Sequence, residues 1–202
     1  MFKKIRRLIY VMIAIVLIAK AVTVYRAVST VLAYRPLVEQ VLAEDDNATN
    51  EDLVLAVIYT ETKGQSADVM QSSESSTGTT NTISDNRASI KQGTKVLAEN
   101  LEEAAKHQTD SWTAIQSYNF GQAYIPYVAK NGGVNTIELA RDYSRDVVAP
   151  SLGNHSGDTY RYYNAISLLY GGGKLYVDGG NIYYAKQVQF NLYLIKIIDK
   201  LS

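Results

Sequence analysis

The apolar and polar positions divide the chain into one long hydrophobic stretch followed by shorter periodic segments. Positions 8–19 are continuously apolar, and after Lys20 the run resumes over 21–25. Beyond it, apolar residues recur at three- and four-residue spacing, which predicts helices. Segment 27–43 reads as a helical stalk, closed by the polar run 44–51. Segment 52–62 predicts the first helix of a compact domain, with Thr49 or Asn50 as its cap. Further helices are expected over 90–106 behind Ser89, 111–118 behind Asp110, and 136–148 behind Asn135, the last ending at Pro150. Another covers 160–170 and stops at Gly171-Gly172-Gly173. The last helix covers 182–201, with Val188, Leu192 and Ile195 on one face. Strand signals are few, and 174–177 is the best of them. Segment 71–89 is rich in Ser, Thr, Asn and Asp, which predicts a long polar loop; long loops inside compact domains are usually functional. The expected fold class is therefore mainly α (α+β), with a small β or loop lobe. Three regions follow: residues 1–26 as basic cluster and anchor, 27–46 as stalk or linker, and 47–202 as the domain.

Charge sharpens the reading of the N-terminus. The net charge is zero, yet the first 26 residues hold six basic side chains and no acid. The remainder carries 14 basic against 20 acidic residues, and an acidic body argues against nucleic-acid binding. Lys3, Lys4, Arg6 and Arg7 stand directly before the apolar run. A buried core helix would not tolerate four cations at its mouth. Two readings compete. In one, the run is a single-pass anchor with the basic cluster on the cytoplasmic side. In the other, Ala19-Lys20-Ala21 is a signal-peptide cleavage site and the product is secreted. The anchor is preferred because the helical pattern continues past Arg26. Both place the body outside the cytoplasm. There is no cysteine, which excludes disulfides, thiol nucleophiles and thiolate metal sites. His107 and His155 lie far apart in polar contexts, so no metal site and no cofactor is expected.

Glu61 is the leading chemical candidate. It ends the segment D-L-V-L-A-V-I-Y-T-E, and helical spacing puts Ile58, Val57 and Val54 on its face. A carboxyl at the end of an apolar face is partly desolvated, which favours its protonated form. A glycosidase acid needs that property, since it must hold a proton near neutral pH. The plainer alternative is a Glu that ends a helix or pairs with Lys63.

The neighbouring motifs carry a resemblance. The order Glu61-Thr62, then Asp68-Val69-Met70-Gln71, then Ser117-Tyr118-Asn119, then Tyr183-Tyr184 resembles the Glu-Ser, G-L-M-Q, A-Y-N and late-tyrosine motifs of lytic transglycosylases and goose-type lysozymes. The string A-V-I-Y-T-E-T-K-G-Q-S-A-D-V-M-Q-S-S-E-S is similar to one Gram-positive branch of this lysozyme-like superfamily. Pneumococcal vaccine antigen A-like proteins belong to that branch, as do the N-terminal muramidase-like domains of bifunctional wall hydrolases. The resemblance covers residue 52 to the C-terminus. It implies a lysozyme-like domain that cleaves the β-1,4 bond between N-acetylmuramic acid and N-acetylglucosamine in peptidoglycan. Glu61 would be the catalytic acid. Met70, Gln71, Ser72, Tyr118 and Asn119 would face the glycan, and Tyr183 or Tyr184 would hold the Glu61 carboxyl. Read without the resemblance, Met70 is equally a core residue and Asn119 a helix C-cap.

Hydrolysis usually requires a second carboxylate within about 5 to 10 Å of the first. Asp68, Glu74 and Asp85 are the candidates. A transglycosylase dispenses with it, because the muramyl C6 hydroxyl attacks C1. Thr62 in place of Ser and Asp68 in place of Gly depart from the transglycosylase pattern, so both products stay open. The partners implied are peptidoglycan strands, the cytoplasmic membrane, and cell-division or wall-synthesis proteins. A contrasting expectation is a non-catalytic glycan-binding or division scaffold with the same fold; a desolvated acid distinguishes the enzyme from it.

Overall fold

Helix α1 runs unbroken over Phe2–Leu32 in the computed structural model, which describes residues 2–73, 75, 79 and 82–201. Its first part exposes Leu8, Ile9, Val16, Leu17 and Ile18, and it is long and apolar enough to cross a membrane. Its last turns behave differently. Val28 and Val31 are fully buried. The chain then turns at Tyr34, and α2 follows over Arg35–Glu44. Pro36 sits in the first turn of α2, where its missing N–H is no loss. Val38, Val41 and Leu42 are buried in the same core as Val28 and Val31. Segment 27–46, expected as a stalk, thus packs into the domain. The reason is legible in retrospect: Val28, Val31, Val38, Val41 and Leu42 recur at helical spacing and form one apolar face for each helix.

Helix α3, Glu51–Glu61, is the central element. Asn50 caps it by accepting from Leu53 N–H, and Glu51 and Asp52 favour its N-terminal dipole. Val54 to Ile58 are fully buried, so this helix is apolar on every side. Helix α4, Asn86–Lys106, begins four residues earlier than expected, because Asp85 rather than Ser89 is its cap. Helix α5, Ser111–Phe120, is capped by Asp110, and α6, Tyr124–Lys130, follows. Helix α7, Ile137–Tyr143, is capped by Thr136. It passes through a π-helical turn, Ser144–Val148, into the short α8, Ala149–Ser151. The helical run thus ends at Ser151, one residue beyond the expected stop at Pro150. The segment expected as one helix over 160–170 divides. Strand β1, Thr159–Arg161, pairs antiparallel with β2, Lys174–Tyr176, with Tyr160 opposite Leu175. Helix α9, Ala165–Gly171, lies between them and stops at Gly172 with φ +73°. The last helix, α10, covers Tyr184–Asp199.

α3 and α10 pack antiparallel. Tyr184 opens α10 and meets Glu61 at the end of α3. Asn191 donates to Thr60 at 2.9 Å. Near the other end, Arg35 bridges Asp52 and Asp199 at 2.9 and 3.2 Å. One core joins α1 to α5 and α10. A second gathers Phe120, Tyr124, Tyr143, Leu175, Ile182 and Tyr183 under the β-hairpin.

Gly93 is a close approach within α4. A Cβ there would lie 2.6 Å from Met70 Sδ and 2.8 Å from Met70 Cβ. Alanine would gain about 1 kcal/mol in helix propensity. Overpacking against a fully buried methionine outweighs that gain. Gly93→Ala is expected to lower unfolding free energy by about 1–3 kcal/mol in a denaturant titration. A more stable variant would show that the Met70 loop can retreat.

Candidate active site

The site is built where α3 ends. Glu61 is partly exposed, below an apolar face that is fully buried at Val54, Val57 and Ile58. Tyr184 donates its phenol hydrogen to Glu61 Oε1 at 2.5 Å. Burial raises the Glu61 carboxyl from its ordinary 4.5 to about 7; the Tyr184 hydrogen bond works against this, and the charge of Asp68 adds to it. Tyr118 lies against Tyr184, with ring centroids 6.2 Å apart and planes within 5°. Its hydroxyl donates to the Met70 carbonyl at 3.0 Å. Burial, and then the Glu61 charge, push both phenols well above their ordinary value, so both remain hydrogen donors.

The two late tyrosines separate in role. Tyr184 reaches the acid. Tyr183 is fully buried and donates toward the Gly171 and Lys174 carbonyls at 3.0 and 3.2 Å, which ties it to the hairpin.

The loop after α3 is organised by Asp68, which is 3% exposed. Its Oδ1 accepts from Ser72 N–H at 2.9 Å and from the Ser89 hydroxyl at 2.6 Å. Its Oδ2 accepts from Ser73 N–H at 3.0 Å and from the Ser73 hydroxyl at 2.5 Å. Burial pushes this carboxyl up, but the hydroxyls of Ser73 and Ser89 and the amides of Ser72 and Ser73 outweigh burial and hold it below its ordinary value. Thr62, at the C-cap of α3, ties the same loop by donating to the Val69 carbonyl at 2.8 Å. Asp68 is therefore an ionised anchor whose oxygens are occupied, not an open second carboxylate. Asp85 is exposed and caps α4 by accepting from Ala88 N–H at 2.8 Å. Glu74 lies outside the described residues.

The expected glycan-facing residues divide in the same way. Met70 is fully buried against Gly93 and offers only its carbonyl to Tyr118. Ser72 is 3% exposed, with its hydroxyl 3.0 Å from the Ser89 carbonyl. Met70 is a correction, because the Asp68 serine network draws this part of the loop inward; Ser72, though buried, still borders the cleft. Gln71 points the other way. It is exposed, with φ +49° and its amide donating to the Asp68 carbonyl at 3.1 Å. Asn119 is exposed and accepts from Asn181 N–H at 2.7 Å. Gln71, Tyr118 and Asn119 line a cleft of about 590 Å³ whose other wall includes Val147 and Leu152. Glu61 and Tyr184 do not line this cleft; Tyr118, which does, stacks on Tyr184 and so places the Glu61 cluster beside it. A larger cavity of about 910 Å³ lies between the 45–49 turn and α4, lined by Lys91, Lys95, Glu99 and Glu102 among others. It contains none of the Glu61 cluster and is not the candidate site.

Three contributors escaped the sequence reading: Ser73, Ser89 and Gln116. Ser89 was expected to cap a helix, yet it is buried and receives Met70 N–H at 3.0 Å. Gln116 is a fully buried amide on a helix whose other buried residues, Thr113, Ala114, Ile115, Ser117 and Phe120, are short or apolar. A long polar side chain in such a stretch was the available signal.

The comparisons with known proteins fit this geometry. Residues 28–192 match the family described as Lysozyme-like. A pneumococcal vaccine antigen A homolog from Streptococcus pyogenes is 58% identical over 182 residues, covering 90% of this chain and 91% of the relative. The bifunctional muramidase/DL-endopeptidase CwlT of Bacillus subtilis is 36% identical over 112 residues, 55% of this chain and 33% of the relative. A crystal structure from Staphylococcus aureus, described as similar to lipoprotein of the NLP/P60 family, has a TM-score of 0.71 at 35% identity. It covers 81% of this chain, which spans 52% of that one.

Proposed function

The chain belongs to the lysozyme-like family, and on that premise we propose that it is a membrane-anchored peptidoglycan glycosidase with Glu61 as its acid. The substrate bond is the β-1,4 linkage between N-acetylmuramic acid and N-acetylglucosamine. One observation carries this reading: a carboxyl at the end of a buried helix, holding its proton to about pH 7 and oriented by Tyr184. In the proposed reaction Glu61 gives its proton to the glycosidic oxygen as the bond to C1 breaks. The resulting carboxylate is stabilised by the Tyr184 hydroxyl. With Asp68 bonded by serines and Asp85 capping α4, Glu61 also acts as the base in the second half. It takes the proton from the group that attacks C1. Among the described residues these occupied carboxylates favour the muramyl C6 hydroxyl as that group, giving a 1,6-anhydro product, over an activated water; Glu74 lies outside those residues. Gln71 and Asn119 would hold the glycan along the cleft.

Mass spectrometry of muropeptides released by the protein tests both steps. Anhydro-muropeptides, one water lighter than hydrolytic products, are the expected result. Absence of any glycan cleavage would refute the glycosidase reading. The pH dependence adds a second expected outcome. The reactive form is protonated Glu61, so cleavage falls as pH rises through about 7 and by about tenfold per further unit. An initial rate that stays flat to about pH 9 would remove Glu61 from the acid role.

The apolar part of α1 supports a single span, with Lys3 to Arg7 in the cytoplasm and the domain outside, where its substrate is. Full-length protein is expected in the membrane fraction and open to protease only from outside. Recovery in the cytosol would sink the anchor, and a mature N-terminus at Val22 would select the secreted form.

A further inference from the structure

Helix α10 begins without a cap of its own. Its N-cap residue is Tyr183, whose side chain makes no capping bond and is committed to the hairpin. The first N–H groups of a helix have no partner within it, and at a buried start each needs an acceptor. Tyr184 N–H finds the Asn181 carbonyl at 3.0 Å. Ala185 N–H finds the side-chain oxygen of Gln116, on α5, at 3.1 Å. The other end of the same amide donates to the Asn181 carbonyl at 2.9 Å. Gln116 is fully buried, and both its polar atoms are used. Three residues along α5, Asn119 holds Asn181 N–H at 2.7 Å. The backbone on either side of Tyr184 is thus gripped from α5.

We infer that Gln116 is a positioning residue for the acid: it caps α10 from another helix and so holds the Tyr184 hydroxyl against Glu61. The inference rests on the reading of Glu61 as the proton donor. The groups that face Glu61 are Tyr184 from α10, Tyr118 from α5 and Asp68 from the loop. Of these, Tyr184 is the one that donates to it among the described residues. Freeing the start of α10 lengthens that bond. The carboxylate then loses its donor, while Asp68 still repels it and burial still penalises it, so Glu61 keeps its proton to higher pH.

The test follows Glu61 itself. Full-length protein in detergent micelles, labelled with ¹³C at the glutamate carboxyls, is titrated by NMR, with the Glu61 signal assigned by its loss in Glu61→Gln. Gln116→Met keeps the length of the side chain and removes both bonds. It is expected to raise the Glu61 midpoint by about one pH unit, the weight of one hydrogen bond to a charged group. Tyr184→Phe is expected to do the same, and the double variant to add nothing further. The alkaline limb of the cleavage profile should move upward with the midpoint. Thr113→Val, on the same helix, should lower melting temperature without moving the midpoint. If Gln116→Met does not fold, Gln116→Ser leaves room for a water to satisfy the backbone groups and is judged on the same shift. A folded Gln116 variant with lowered melting temperature and an unmoved Glu61 midpoint would overturn the inference. The NMR midpoint needs no turnover. A wild type that cleaves no glycan would therefore refute the glycosidase reading, and the midpoint would still decide the role of Gln116.

Discussion

Glu61→Gln is expected to lower glycan cleavage at least about a hundredfold, the usual weight of general acid–base catalysis. Glutamine keeps the size and shape of the side chain and removes the proton that is transferred. Its amide can still accept from the Tyr184 hydroxyl, which now meets the Glu61 carboxyl at 2.5 Å, so the fold and the cleft are retained. Stability should move the other way. The folded carboxyl titrates near 7 instead of 4.5, so the native state binds a proton more tightly than the unfolded chain. Wild-type stability from this group is therefore fully present below the unfolded value and is lost as pH rises from about 4.5 to about 7. Above that window the ionised carboxylate costs folding up to roughly 3 kcal/mol, and glutamine escapes this cost. The variant should thus exceed the wild type in unfolding free energy at about pH 8 and lose most of that advantage near pH 5. Equal cleavage by the two proteins would refute the assignment of the acid. Binding to sedimented peptidoglycan should survive the substitution, since Gln71, Tyr118 and Asn119 are untouched.

The sequence made some of this architecture readable and hid the rest for identifiable reasons. The helix ending at Glu61 was legible because Val54, Val57 and Ile58 recur at helical spacing behind a capping residue. The strand at Lys174–Tyr176 was legible from its position after a glycine run. The motif order placed Tyr184 among the candidates, but periodicity cannot tell Tyr183 from Tyr184. They are adjacent, and only the packing of α10 on α3 turns one toward Glu61 and the other toward the hairpin. The loop misled most. Met70 read as a cleft residue and Asp68 as a second carboxylate, yet both are turned inward and tied within the loop. Local propensity carries no information about Ser89, which lies 21 residues beyond Asp68 and meets it through space. The stalk misled for a related reason. Its apolar face was visible, but the partner that buries that face is formed by distant helices.

Asp68→Ala is expected to be the most damaging single substitution in the loop, lowering unfolding free energy by about 2–4 kcal/mol. The carboxylate accepts from two backbone amides, Ser72 and Ser73, and from the hydroxyls of Ser73 and Ser89. Alanine leaves these donors buried without an acceptor, and an unsatisfied buried donor costs more than the net worth of the bond it lost. Asparagine does not repair the loss, because its NH₂ would face donors where an oxygen now accepts. The pH dependence separates this role from a catalytic one. The folded carboxyl lies below its ordinary value of 3.8, so its contribution is fully present above that pH and is lost as pH falls through the lower folded value. The gap between wild type and Asp68→Ala in urea unfolding should therefore be widest at about pH 5, shrink in acid, and narrow somewhat toward about pH 8, where ionised Glu61 is repelled by Asp68 in the wild type alone. Cleavage should fall too, for a structural reason. The loop presents Gln71 and supplies the carbonyl that receives the Tyr118 hydroxyl. If Asp68 were instead the second carboxylate of a hydrolase, Asp68→Ala would fold with near-normal stability while losing turnover. Melting temperature and cleavage rate measured on the same preparation tell the two apart: both should fall together.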